Sequence, residues 1–226
     1  MATVLICAAH ADDEALGCGG TMARHAGAGD VVHPVFVADG VASRHARETD
    51  VVEEAERRRG LARGAAKILG AQPPRFFDFP DQQLDQIPLI ELCKRIELLA
   101  IELKPDIVYT HHAGDLNLDH VIVNRAVMTA FRPIVGQTVR RIYGFEVLSS
   151  TEWSFGVGVP FQPVRFVDIT NVLPAKLDAL RCYDIEMRPA PHARSYEAVR
   201  AQAVLRGASV GVSAAEAFTV LRELEL

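Results

Sequence analysis

At 226 residues, 49% hydrophobic and 23% charged, the chain is long enough to bury a substantial core without disulfides or structural metals, and no segment is biased toward disorder. Its formal net charge of −5, with acids and bases interleaved, leaves no basic face and argues against nucleic acid as a partner. Four widely spaced cysteines, Cys7, Cys18, Cys93 and Cys182, form no CxxC pair, so no thiolate zinc site or redox motif is readable and buried free thiols are expected.

The N-terminus enters TVLICAA (3–9) at once, a continuous apolar run expected as a central parallel strand covered on both faces. No basic leader precedes it and no stretch reaches membrane-spanning length, so a cytoplasmic protein is expected. After an acid cluster, residues 15–27 read as a helix and VVHPVFVADG (31–40) as a second strand. Pro34 weakens the first half of that strand or places it near a sheet edge. Residues 45–70 follow as a long polar helix, weakened by Gly60 and Gly64 and stopped at Gly70. RFFDF is a short strand, and residues 87–103 place Leu92, Ile96, Leu99 and Leu103 on one helical stripe ended by Pro105. DIVYTHH (106–112) reads as a buried strand, followed by a helix from Asp119 to Phe131, strands at 141–148 and 164–169, and helices at 171–186 and 195–206.

This alternation predicts an α/β fold: one domain over 1–226, a Rossmann-like, doubly wound, mostly parallel sheet with helices on both faces. Ligands of such sheets sit beyond the carboxyl ends of the strands. Both HADDE (10–14) and HHAGDLNLDH (111–120) lie there.

Three adjacent acids, Asp12, Asp13 and Glu14, repel one another at a strand end and are costly to desolvate without a cation. His10 with one of the acids, together with an imidazole from DLNLDH, supplies two histidines and a carboxylate, a set typical of catalytic zinc with a fourth position left for water. The competing reading is an acidic loop capping the next helix; the second imidazole at the matching strand end favours metal. Residue type alone leaves open which acid ligates. GCGG (17–20) lacks the GxGxxG spacing, and the acids upstream would repel a pyrophosphate, so these glycines are read as close-packing residues.

AHADDEALGCGG resembles the AHPDDExLGxGG signature of the LmbE-like, or PIG-L, zinc-dependent N-deacetylases, with Ala11 in place of the usual proline. The likeness continues through VADG, AAKILG (65–70), FPDQQLD (79–85), KPDIVYTHHAGDLNLDH (104–120) and AEAF (215–218), in the family's order and across nearly the whole chain. It implies hydrolysis of an acetamide on an amino sugar, with zinc on His10, Asp13 and His120 and Asp12 as general base. Glu14 is then a supporting or helix-capping acid. Mixed imidazole and carboxylate sites also accept iron, cobalt or manganese.

Departures from the family pattern bear on mechanism. Asn117 stands where many members have a histidine; it is not an acid but can donate to a developing oxyanion. Asp119 either orients a neighbouring imidazole or caps the following helix. Arg58 matches a substrate-contacting position, but the acid that follows in the family is missing in RRRGLARG, and an exposed helix arginine is the more frequent explanation. Arg44 and His192 are further substrate-binding candidates, with His111, His112, Glu146 and Trp153 as weaker ones; DGVASR and the triple arginine would suit a phosphate or nucleotide group. The expected partner is a small N-acetylated sugar or sugar nucleotide, with no membrane span; a homo-oligomer is compatible with the sequence. The alternatives are a metal-dependent amidase for a non-sugar N-acyl compound and a metal-holding protein without activity. Asp12 speaks for the enzyme, since a second carboxylate adds repulsion without completing a ligand shell.

Overall fold

A computed structural model describes residues 1–41 and 48–225. The first apolar run forms β1 (Thr3–Ala8), flanked by the parallel strands β2 (Val31–Ala38) and β4 (Ile107–His111). β3 (Arg75–Phe79) pairs parallel outside β2, and β5 (Arg141–Phe145) parallel outside β4. Two further strands, β6 (Arg165–Asp168) and β7 (Ala215–Glu223), complete the order β3-β2-β1-β4-β5-β7-β6, with β7 antiparallel to both neighbours. The sheet is therefore mostly parallel, as expected, with a mixed edge.

Helices cover both faces. Along the first strand Val4, Ile6 and Ala8 enter one hydrophobic cluster while Leu5, Cys7 and Ala9 enter the other, the two-residue alternation of a strand buried on both sides. The first cluster is closed by α1 (Asp13–Gly27), α2 (Glu48–Ile68), α5 (Leu173–Cys182) and α6 (Tyr196–Ala208), the second by α3 (Leu89–Leu103) and α4 (Leu118–Ala130). The stripe predicted for α3 is the face it buries: Leu92, Ile96 and Leu99 are in the core, with Leu103 packed against it. All four cysteines are free, and three are buried. Among the described residues no helix is long and apolar enough to cross a membrane.

Two local features refine the expectation. Pro34 lies within an internal strand, paired in register with Ile6, but β3 joins β2 only from Val35 onward, so the proline sits where that side of the strand is still an edge. The nine-residue β7 is a strand that the apolar pattern hides, because the buried Glu216 interrupts it.

α1 is bent. Cys18 leaves helical geometry at φ −146°, ψ 20°. There the Leu16 carbonyl accepts from Lys176 Nζ at 2.7 Å, and the Gly20 amide donates to Glu216 Oε1 at 2.9 Å. Gly17 and Gly20 are close-packing positions: a Cβ on Gly17 would lie 2.3 Å from the Phe145 ring, and one on Gly20 2.7 Å from Ile169. The bend separates the first turn of α1, which carries Asp13 and Glu14, from the rest of the helix.

Candidate metal centre and cleft

β1 and β4 are adjacent and parallel, so the loops leaving their carboxyl ends meet. The first carries His10 to Asp13 into α1; the second runs from His111 to the first turn of α4 and His120. One ligand atom each from His10, Asp13 and His120 falls within 4.8 Å of the others. Asp13 Oδ2 lies 3.2 Å from both His10 Nδ1 and His120 Nε2.

These residues fit a cation. Asp13 is fully buried, and its Oδ1 has no hydrogen-bond partner among the described residues; His120 Nε2 is likewise buried without hydrogen-bond geometry. Buried polar atoms are normally satisfied, and an oxygen flanked by two imidazoles is a donor set that a divalent ion satisfies. A second group, His10 with Asp81 and Asp119, offers only one nitrogen. It acts on the other side of the same ring: His10 Nε2 lies 3.0 Å from Asp81 Oδ1 and 3.2 Å from Asp119 Oδ2.

The charge balance points the same way. Burial pushes the Asp13 carboxyl up, but the imidazoles of His120 and His10 prevail and hold it well below the usual range. Burial pulls His10 down, but the carboxylates of Asp119, Asp13 and Asp81 raise it well above an ordinary imidazole. His120 responds alike: burial lowers it, Asp13 and Asp115 raise it, and it settles at about 9. The acids of this pocket demand positive charge between them, the role of a cation.

Around the donors, further side chains are locked. Asp119 accepts from the backbone amides of Gln82 at 2.8 Å and Leu84 at 3.2 Å. Asp115 lies 3.2 Å from His120 Nδ1 and accepts from Thr151 Oγ1 at 2.6 Å and from Ser150 Oγ. Burial pushes the Asp115 carboxyl up, but the bonds from His120, Ser150 and Thr151 hold it at about 2.

Asp12 does not join the donor triad. Its backbone sits at φ 134°, ψ −29°, a region that side chains rarely adopt and that concentrates at functional sites. Glu14 holds it there, accepting from the Asp12 amide at 3.1 Å while its other oxygen accepts from the Tyr183 hydroxyl at 2.7 Å; burial pushes the Glu14 carboxyl up to about 8. The Asp12 carboxylate lies 2.5 Å from Arg194 Nη1. Burial raises it, Arg194 opposes, and it ends above the usual range. His10, Asp12, Asp81, Asn117, Arg58 and Arg194 all line one cleft of about 120 Å³.

Of the residues singled out by sequence, His10, Asp12, Asp13, Asn117, Asp119 and His120 converge. Asn117, rather than Asp119, caps α4, accepting from the Asp119 amide at 2.9 Å through Oδ1. Its Nδ2 is what it can still offer the cleft. Arg58 is buried rather than an exposed helix arginine, and it pairs with Glu186. In the triple arginine, Arg57 meets Glu54 at 3.1 Å and Arg59 meets Asp78 at 2.6 Å. Arg44 lies outside the described residues. His192 is not among the cleft residues; its ring meets Trp153 at 5.6 Å, and its Nδ1 accepts from the Arg194 amide at 3.0 Å. His111 stacks on His120 at 3.8 Å and accepts from the Ala9 amide, His112 Nε2 donates to the Val159 carbonyl, and Glu146 pairs with Arg206.

Sequence reasoning missed Asp81, Asp115 and Arg194 as site residues. The first two sit inside the quoted FPDQQLD and HHAGDLNLDH. Arg194 stands alone in the C-terminal part with no motif, 182 residues from its partner Asp12.

Comparison with known proteins places these features among relatives. Residues 5–131 match the family described as PIG-L: GlcNAc-PI de-N-acetylase. The uncharacterized deacetylase YaiS of Escherichia coli K12 is 30% identical over 190 residues, 79% of this chain and 88% of that protein. The 4-oxalmesaconate hydratase of Pseudomonas putida KT2440 is 28% identical over 201 residues, 80% of this chain and 72% of that one. Among solved structures, the N,N'-diacetylchitobiose deacetylase of Pyrococcus horikoshii superposes with a TM-score of 0.78 at 21% identity, over 97% of this chain and 84% of that one.

Proposed function

The chain belongs to the PIG-L family, and from that premise we propose that it is a hydrolase removing the acetyl group from an N-acetylated amino sugar, free, nucleotide-linked or lipid-linked, with zinc on His10, Asp13 and His120. Support comes from the family, from the deacetylase relatives and from the donor triad. The observation that carries the reading is Asp12: a second carboxylate beside the ligand carboxylate, held outside the triad by a strained backbone and lining the same cleft. A protein that only stored an ion would gain nothing from it.

When bound, zinc lowers the pKa of a coordinated water to about 7 and polarises the amide carbonyl. Asp12 takes the proton of the attacking water as its oxygen bonds to the carbonyl carbon and the C=O pair moves onto the carbonyl oxygen. Asn117 donates from Nδ2 to that oxyanion. As C=O re-forms and the C–N bond breaks, Asp12 returns its proton to the nitrogen, leaving a free amine and acetic acid, which ionises to acetate on release to water. Asp119 and Asp81 orient His10 through Nε2, Asp115 orients His120 through Nδ1, and Arg58 is a substrate-side contact at the cleft wall. A small-molecule partner and cytoplasmic residence complete the reading.

A panel of free, nucleotide-linked and lipid-linked N-acetylglucosamine compounds tests it. Acetate release that stops with chelator and returns with zinc is the expected result; none from any member of the panel sinks it. The identity to a hydratase favours a second reading, in which Asp12 and the same water act on a C=C bond. Turnover of 4-oxalmesaconate without acetate release would establish it.

A further inference from the structure

We propose that Arg194 is a further catalytic residue, its guanidinium stabilising the oxyanion of the hydrolysis described above; the inference rests on that reading. Asn117 has one polar end committed to capping α4, so it brings only its neutral amide NH2 to a tetrahedral adduct carrying a full negative charge. Arg194 is the residue positioned to do more. Its guanidinium lines the same cleft, its Nη1 lies 2.5 Å from Asp12 Oδ2, and its Nε donates to Ser149 Oγ at 2.7 Å. Its Nη2 has no hydrogen-bond partner among the described residues. Ser149 itself is held in the left-handed region at φ 68°, with its amide bonded to Glu152 at 2.6 Å. The anchor that aims the guanidinium is thus built with backbone strain of the kind found at functional sites.

The charge arithmetic of the reaction gives Arg194 its role. At rest the Asp12 carboxylate and the Arg194 cation compensate each other. When the proton of water passes to Asp12, that carboxylate becomes neutral, and the same step places a negative charge on the former carbonyl oxygen. The guanidinium, always protonated, then stands in the cleft opposite a new anion instead of the old one. When the adduct collapses, the proton leaves Asp12 for the departing amine and the original pair re-forms. Arg194 therefore interacts with the substrate most strongly in the transition state, the condition under which an interaction raises kcat rather than tightening ground-state binding.

The test compares Arg194→Gln, Arg194→Lys and Ser149→Ala with the wild-type protein on an N-acetylglucosamine compound that the wild type hydrolyses. It measures kcat and KM separately, metal content, and calorimetric binding of methylphosphonate, a tetrahedral anion. Loss of one oxyanion donor costs about 10²-fold or more in kcat. Arg194→Gln is expected to show that loss with KM nearly unchanged, full metal content and methylphosphonate affinity reduced at least about tenfold. Arg194→Lys, which keeps the charge but not the fork, should fall between the two. Unchanged kcat, an effect confined to KM, or unchanged methylphosphonate affinity overturns the proposal. Should Arg194→Gln fail to fold, Ser149→Ala decides: a several-fold drop in kcat supports it and wild-type kcat overturns it. Absence of acetate release by the wild type defeats the deacetylase reading and this inference together; wild-type release with wild-type behaviour of the variants defeats this inference alone.

Discussion

Under the proposed hydrolysis, Asn117 divides its two polar ends between fold and chemistry. Oδ1 caps α4 at the Asp119 amide, and Nδ2 remains for the oxyanion. Two substitutions separate these uses. Asn117→Ala loses both, and is expected to cost about 1 kcal/mol of stability together with a 10–100-fold fall in kcat. Asn117→Asp keeps an effective cap but replaces the donor by an acceptor, so kcat should fall at least as far while the urea midpoint holds. Metal content should stay at the wild-type level in both; loss of metal would make Asn117 a ligand support instead of a donor. At this scale the sequence is informative where a site is local: His10, Asp12 and Asp13 are neighbours, and His120 ends a motif. It is silent where partners are distant. Arg58 reads as a surface helix residue because Glu186, which neutralises it, lies 128 positions away, and Arg194 is invisible for the same reason.

Among the elements, α1 carries the most information, because it joins the acid cluster to the core. Its glycines are not equivalent. A methyl group on Gly20 meets Ile169 Cγ2 at 2.7 Å and Cβ at 2.9 Å, whereas on Gly27 it meets nothing within 4 Å. Overpacking a filled core costs about 1–3 kcal/mol, more than the gain of up to about 1 kcal/mol from alanine in a helix. Gly20→Ala should therefore be less stable than wild type by about 1–2 kcal/mol and Gly27→Ala equal to it or slightly more stable, as read by urea denaturation; equal stability of the two would mean that the bend of α1 yields to the added methyl. The spacing of GCGG was enough to reject a phosphate cradle, since the acids before it forbid one. The bend itself was not legible, because it depends on side chains from α5 and β7. β7 escaped for a related reason: its buried Glu216 breaks the apolar pattern by which a strand is recognised.

At the scale of the whole molecule the same Glu216 joins three parts of the chain. With Lys176 it replaces the helical hydrogen bond that α1 gives up at Cys18: Lys176 Nζ takes the Leu16 carbonyl and lies 2.6 Å from Glu216 Oε1, while Glu216 accepts the amides of Gly20 at 2.9 Å and Thr21 at 2.7 Å. Alternating strands and helices let the sequence predict the parallel part of the sheet, but no periodicity predicts that an acid on the antiparallel edge reaches α1. Both partners are almost fully buried, where removal of one charge costs about 3–5 kcal/mol because the other is left uncompensated. Lys176→Met should lose stability in that range, and so should Glu216→Gln, which strands the Lys176 ammonium and turns an amide NH2 toward backbone, hydroxyl or ammonium donors. In the double variant no charge is stranded, so its loss should be smaller than the sum of the two single losses by at least about 1 kcal/mol in a urea double-mutant cycle. Additive losses would mean that the two residues act separately on α1. Since the bend lies between the acid-bearing first turn of α1 and the rest of the helix, the folded Lys176→Met protein should also bind zinc more weakly than wild type by titration, with His10, Asp13 and His120 all untouched. Wild-type metal affinity in that variant would show that the strand ends alone position the donors and that the ion pair serves only the core.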